Sequence, residues 1–129
     1  MRYIPIGIAA LAMAFATPAP AQTVEGMTLM FCDTADQVAR VVTAANDVDT
    51  ATAVAKVNAE LKNELACAIA PVFFVRGKEV ARATNKHGTF AIVLVAIVGL
   101  MTDVGPQPLP APLEQLTAFK VEVSPEKKA

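Results

Sequence analysis

The sequence predicts an α+β fold: an N-terminal strand, two helices, and then an antiparallel four-strand meander, with the helices packed on one face of the sheet. Three observations lead to this prediction. Apolar and polar residues alternate over 24–32, helical apolar stripes follow over 34–65, and runs rich in β-branched residues begin at residue 67, separated by turn residues. No repeat or composition shift divides residues 22–129, so we expect one domain there.

The first strand, Val24–Cys32, leads into a helix that begins at a capping box. In this motif the Thr34 hydroxyl and the Gln37 amide satisfy free backbone N–H groups. A second helix is capped by Asp49 or Thr50 and ends between residues 63 and 67. The buried stripes are predicted as Val38, Val41, Val42 and Ala45 in the first helix and Val54, Val57, Leu61 and Leu65 in the second, with Asn58 at the edge of the buried face.

The meander is predicted from β-type runs and the turns between them. A strand over 67–75 is followed by a turn at Arg76-Gly77-Lys78, a return strand over 79–84, and a second turn over 85–88. The apolar run 90–101 is predicted as one long central strand, bent or bulged near Gly99. Its apolar residues on both sides mean that both sheet faces are covered there, or that one face meets a partner.

The C-terminal part contains a proline-rich stretch and a final strand. Residues 104–112 are predicted as a loop because they hold four prolines, and residues 116–123 as a strand because apolar and charged residues alternate. Residues 124–129 are a polar sequence that we expect to form a flexible tail.

Residues 1–21 have the pattern of a secretory signal peptide. Arg2 precedes an apolar segment over 4–15, and Ala19 and Ala21 form the small-residue pattern of a cleavage site. The segment is shorter than the roughly 20 apolar residues of a spanning helix. We therefore expect cleavage after Ala21 and a location in the periplasm or outside the cell, with no membrane-spanning part after cleavage. The alternative is an N-terminal anchor that is never removed.

The chain has two cysteines, Cys32 and Cys67. In an exported protein an even number of cysteines predicts a disulfide, which would tie the end of the first strand to the start of the meander. A bridge over this span would stabilise the fold by roughly 3–4 kcal/mol. The alternative is a pair of buried free thiols.

Several chemistries lack the residues that they need. Without residues 1–21 the chain loses one positive charge, Arg2, so its formal net charge falls from −1 to −2, which gives no attraction to nucleic acid. The only serine is Ser124 in the predicted tail, and the only histidine is His87. A glycine-rich phosphate loop, a haem-attachment motif and a set of zinc ligands are all missing. We therefore predict no catalytic residue, no metal site and no cofactor.

One group of charges is uneven. Arg76, Lys78, Arg82, Lys86 and His87 share the stretch 76–87 with a single acidic residue, Glu79. Gathered on a hairpin, they would form an anion-facing patch for an envelope polymer or an acidic partner. The alternative is an edge strand that its charges keep soluble and unpaired.

The chain resembles small exported proteins of Gram-negative bacteria that have no assigned activity. The resemblance lies in Cys32-Asp33-Thr34 before a helix, then Cys67, Phe74-Val75-Arg76-Gly77 and Thr117-Ala118-Phe119. It implies a single disulfide-linked domain and transfers no catalytic residue.

The function predicted from these features is binding or assembly. We expect a non-enzymatic exported envelope protein whose partner is another envelope protein or a polymer. The alternatives are a small periplasmic enzyme of the hydrolase type and a self-assembling structural protein, which would be a homo-oligomer.

Overall fold

The computed structural model describes residues 23–121. It shows two helices and a four-stranded antiparallel sheet, which confirms the α+β class. The strands are β1 (Val24–Cys32), β2 (Cys67–Asn85), β3 (Gly88–Thr102) and β4 (Gly105–Lys120), and the helices α1 (Ala35–Ala44) and α2 (Thr50–Leu61) lie between β1 and β2 in the chain. The predicted signal peptide and the predicted tail lie outside the described residues.

The strands follow one another around a closed barrel in the order β1-β2-β3-β4. β1 pairs with residues 67–75 of β2, and residues 72–85 of β2 pair with residues 88–100 of β3. β4 pairs along β3, and it meets β1 at a single position, Cys32 opposite Leu116. The barrel is therefore closed by one pair of residues.

Both helices begin where the capping residues predict. The Thr34 hydroxyl accepts from the Gln37 N–H at 3.2 Å, and the Gln37 amide accepts from the Thr34 N–H at 3.1 Å. Asp49 caps α2 by accepting from the Thr52 N–H at 2.7 Å. α2 ends earlier than predicted, at Leu61, so Leu65 is 84% exposed and its predicted place on the buried stripe is wrong.

The predicted turn at Arg76-Gly77-Lys78 is wrong, because β2 runs through it without a break. Between the pairs Arg76–Val95 and Glu79–Val93, β2 has one residue more than β3, which makes a bulge. A Cβ atom at Gly77 would lie 2.8 Å from the Leu94 carbonyl oxygen, so the bulge requires glycine here. The meander consequently has three strands rather than the predicted four, and the whole sheet has four strands rather than the predicted five.

The predicted proline-rich loop, 104–112, is also wrong, because β4 already begins at Gly105. Pro106 and Pro108 alternate with Gln107, which pairs with Leu100 of β3. Their missing N–H groups therefore fall on positions that need no bond to β3, where an edge strand tolerates proline. Pro110 and Pro112 lie in the register shift, where β4 has no paired residue in β3. The turn is reduced to residues 103–104.

The apolar core consists of two clusters on the two sides of the sheet. One contains Val38 and Val41 of α1, Val57 of α2 and Ile92 of β3. The other contains residues from β1, β2 and β3, and two partly buried residues of β4 pack against them: Leu29, Val72, Phe74, Val93, Val95 and Ile97, with Leu109 and Phe119. Ile92 and the neighbouring Val93 are both buried on opposite sides. The two-sided apolarity of the central strand is thus explained at this point by coverage of both faces.

Central strand β3 also has the predicted irregularity. Its register with β4 shifts between Ile97 and Gly99. Within residues 23–121, no helix has the length and apolar character needed to cross a membrane.

Candidate functional site

β1 and β4 separate beyond the single pair that closes the barrel. Cys32 lies opposite Leu116, and in the described part of the chain no further ladder joins the two strands. Both strands continue nevertheless, β1 back to Val24 and β4 forward to Lys120. We call the space between Val24–Phe31 of β1 and Thr117–Lys120 of β4 the open seam.

The disulfide defines which backbone groups of β1 point toward β4. The Cα atoms of Cys32 and Cys67 are 4.1 Å apart, the short spacing of an antiparallel pair that exchanges no backbone hydrogen bonds. In agreement, the Cys67 N–H donates to Asn58 Oδ1 at 2.9 Å, and its carbonyl accepts from Asn58 Nδ2 at 3.0 Å. The backbone groups of Cys32 therefore point away from β2 and toward Leu116.

Every second residue of β1 has the same direction as Cys32. The N–H and C=O groups of Met30, Thr28 and Gly26 thus face the open seam. The Met30 carbonyl confirms this direction, because it accepts a hydrogen bond from the Thr117 hydroxyl of β4 at 2.5 Å. This side-chain hydrogen bond takes the place of a backbone hydrogen bond between β1 and β4. It lies at the end of the open seam beside the Cys32–Leu116 pair, which we call the narrow end.

The facing edge of β4 follows from the same alternation. The Val121 N–H donates to the Thr89 carbonyl of β3 at 2.9 Å, so odd-numbered residues of this part of β4 bond to β3. The backbone groups of Ala118 and Lys120 consequently face the open seam. Among residues 23–121, two strand edges with unpaired ladder positions thus oppose each other.

A cavity of about 380 Å³ lies in the open seam. β1, β4, the end of α1 and parts of β2 and β3 contribute to its wall. Apolar side chains dominate, including Met27, Met30, Ile69, Phe90, Ala118 and Phe119. The polar lining residues are all neutral: Thr28, Thr50, Asn85 and Thr117. A volume and lining of this kind are typical of sites for neutral, mainly apolar ligands.

A salt bridge lies at the end of the open seam that is farther from the Cys32–Leu116 pair, which we call the wide end. Arg76 of β2 donates two hydrogen bonds to the Glu25 carboxylate of β1, at 2.6 and 2.9 Å. The Arg76 guanidinium carbon also lies 3.7 Å from the centre of the Phe119 ring of β4, close enough for a cation–π interaction. We call Glu25, Arg76 and Phe119 the clasp, because together they link β1 to β4 where no ladder does.

The clasp shifts the ionisation of both of its charged groups. The hydrogen bonds from Arg76 lower the pKa of Glu25, and those from Glu25 raise the pKa of Arg76. Each charge thus favours the charged form of the other. Phe119 belongs to both the clasp and the cavity wall, so Arg76 of the ion pair contacts a residue that lines the cavity.

The predicted anion-facing patch is spread along β2 and its following turn, and most of its charges have acidic neighbours. Arg76 is part of the clasp. Arg82 donates to Glu79 at 2.5 and 3.1 Å, and the hydrogen bonds raise the pKa of Arg82 and lower the pKa of Glu79. Lys86 Nζ lies 3.2 Å from Asp47. Three of the five side chains of the patch thus lie next to a carboxylate, and the patch stays a prediction.

Lys78 and His87 complete the predicted patch. Both are exposed, Lys78 at the bulge of β2 and His87 in the turn before β3. No salt bridge to either is found among residues 23–121. These two positions are separated along the strand, so the structure does not gather the five residues into one compact site.

The predicted disulfide between Cys32 and Cys67 is confirmed. Both cysteines are buried, and they join adjacent strands at directly opposed positions. In the bonded state neither sulfur is a thiolate, so neither can act as a nucleophile. No group of three or more His, Cys, Asp or Glu side chains in the described part of the chain is placed to hold a metal ion.

Neither the open seam nor the clasp is predicted from the amino-acid sequence. Glu25 and Arg76 are 51 positions apart, and only the pairing of β1 with β2 brings them together. A weak signal was available, because Glu25 shares the buried side of β1 with Leu29 in the alternation. A charge at such a position needs a partner.

No protein-family model matches the chain, and comparisons with curated proteins and with solved structures find no match. The resemblance to small exported proteins stays a prediction.

Proposed function

We propose that this chain is an exported, non-enzymatic binding protein of the cell envelope, which takes a neutral, mainly apolar partner in the open seam. The observation that supports this most is the cavity of about 380 Å³, whose lining contains no charged side chain. Neutral threonine and asparagine side chains at its wall supply a few polar contacts, as small-molecule and peptide sites commonly do.

The disulfide supports both the export and the absence of thiol chemistry in this proposal. Disulfides persist in oxidising compartments such as the periplasm and the extracellular space. The bond also engages the only two cysteines of the chain. A hydrolase of the cysteine type would need one of them as a thiolate.

Binding of a neutral solvatochromic dye, Nile red, tests the cavity. Thr28 is exposed at the cavity wall, so Thr28→Trp fills the opening without disturbing the core. We expect the dissociation constant of the dye to rise about tenfold or more. Ala59→Trp, on the exposed side of α2, is the matched control and should bind the dye as the unmodified protein does.

A second variant, Ala118→Trp, places the same bulk on the opposite wall. Circular dichroism melting of all three variants identifies any that has lost its fold. Equal dye affinity for the unmodified protein and a folded Thr28→Trp variant would contradict the proposed site.

A further inference from the structure

We propose that the occupant of the open seam is an extended segment of another polypeptide, which adds as a strand between β1 and β4. This inference rests on the proposed function and names the class of partner. It follows from the backbone groups of the two strand edges rather than from the apolar lining alone.

The two edges of the open seam have the hydrogen-bonding pattern that an added strand requires. On β1, the N–H and C=O groups of Thr28 and Gly26 point into the seam, and on β4 those of Ala118 and Lys120 do so from the other side. An extended peptide directs successive backbone groups to alternate sides. One strand could thus bond to β1 through one set of residues and to β4 through the other.

The cavity lies where such a strand would run. Its wall includes Met27–Met30 of β1 and Thr117–Phe119 of β4, the same stretches that face each other without a ladder. The pair Cys32–Leu116 and the Thr117 hydroxyl bond close the narrow end. The segment would therefore enter from the wide end, beside the clasp.

The lining specifies the side chains of the added strand. On one side of the sheet the segment would meet Val42, Ala45 and Phe90, and on the other Leu29 and Phe119. With no charged residue at the wall, a charged side chain in the segment would be buried without a partner, which is costly. The segment is consequently neutral, with small or medium apolar residues, and of about the common strand length of five to six residues.

Peptide binding by calorimetry tests this inference. The probes are acetylated, amidated hexapeptides in which valine, isoleucine or leucine alternates with threonine. For the tightest binder, two further peptides are made with N-methyl groups on its even or its odd residues. Each set of N–H groups bonds to a different edge, so we expect both methylated peptides to bind at least about tenfold more weakly, equivalent to 1.4 kcal/mol.

Each outcome separates the alternatives. If either methylated peptide binds as tightly as its parent, the segment does not lie between two edges and the inference is overturned. If no hexapeptide binds while Thr28→Trp still weakens Nile red, the occupant is a small apolar molecule, and the proposed function stands without the inference. Sedimentation could instead show a dimer that persists when the peptide is added but dissociates in the Thr28→Trp variant. In that case the open seam binds a second copy of the chain, and the inference is overturned.

Discussion

The two ends of β1 are held in different ways. At Cys32 the strand is fixed on both sides, by the disulfide to Cys67 and by the pair with Leu116. At the other end it has a ladder on one side only, and Val24 is 55% exposed. The closed end contains the covalent link and the backbone bonds of Cys67 to Asn58, whereas the open end has ladder positions with no partner among the described residues. The contrast places the covalent constraint at one end of β1 and the edge that the proposed function assigns to binding at the other.

The largest effect is expected from removing the disulfide at the closed end. The double variant Cys32→Ala, Cys67→Ala should lose about 3–4 kcal/mol of unfolding free energy, because the unfolded chain is no longer constrained across a separation of 35 residues. Urea unfolding measures this loss, and the unmodified protein in a reducing agent should lose a similar amount. An unchanged midpoint would place the main stabilisation elsewhere.

Asn58 supports the same end from α2. Its side chain satisfies the N–H and C=O of Cys67 and also donates to the Glu64 carbonyl at 3.1 Å. Asn58→Ala leaves partly buried backbone groups without these bonds and should cost about 1–3 kcal/mol in urea unfolding. The control is Asn63→Ala, which removes one exposed bond to the Leu65 N–H, with an expected change within about 0.5 kcal/mol. Similar losses in both variants would disprove the special role of Asn58.

Two neighbouring proline substitutions sharpen the comparison between the two edges of β1. The Met27 N–H points to β2 and the Thr28 N–H points into the open seam. Met27→Pro should therefore lose about 1–2 kcal/mol of stability with its ladder bond, while Thr28→Pro should stay close to the unmodified protein but lose peptide binding. Melting and calorimetry measure the two properties. The reverse order of stabilities would mean that the assigned directions are wrong.

The smallest effect is expected at the clasp, whose ion pair is partly exposed to solvent. The pKa of Glu25 in the folded state lies below its ordinary value of 4.5. Its ionised form is thus favoured by folding, so the contribution is present above pH 4.5 and is lost as the pH falls through the lowered pKa. Glu25→Gln should melt slightly lower than the unmodified protein at neutral pH.

The gap in melting temperature for Glu25→Gln should close as the pH is lowered below 4.5, and it should also shrink in high salt. Glu60→Gln on α2 is the control and should not melt lower than the unmodified protein at neutral pH, since no salt bridge involves Glu60 in the described residues. A gap for Glu25→Gln that does not depend on pH would mean that the carboxylate charge is not what stabilises the clasp.

Patterns of neighbouring residues predicted where the helices and one turn lie, but they did not predict that β2 and β4 continue without a break. The Thr34 capping box, the Asp49 cap and the turn before Gly88 depend on residues a few positions apart, and all three are found. The supposed turn at Gly77 and the supposed loop over 104–112 failed for a common reason. Gly77, Pro110 and Pro112 all lie in register shifts, where β3 has no residue paired with them, so β2 and β4 continue through these positions as irregular strands.

The α+β class, the starts of both helices and the partner of each cysteine follow from the amino-acid sequence alone, since two cysteines have a single intramolecular pairing. The point where β1 and β4 part, the backbone groups that face the open seam, and the contacts of Arg76 with Glu25 and Phe119 depend on the folded chain. These features depend on the register of the strands. Bulges in β2 and β4 shift which residues lie opposite one another, and such shifts depend on pairings between distant parts of the chain.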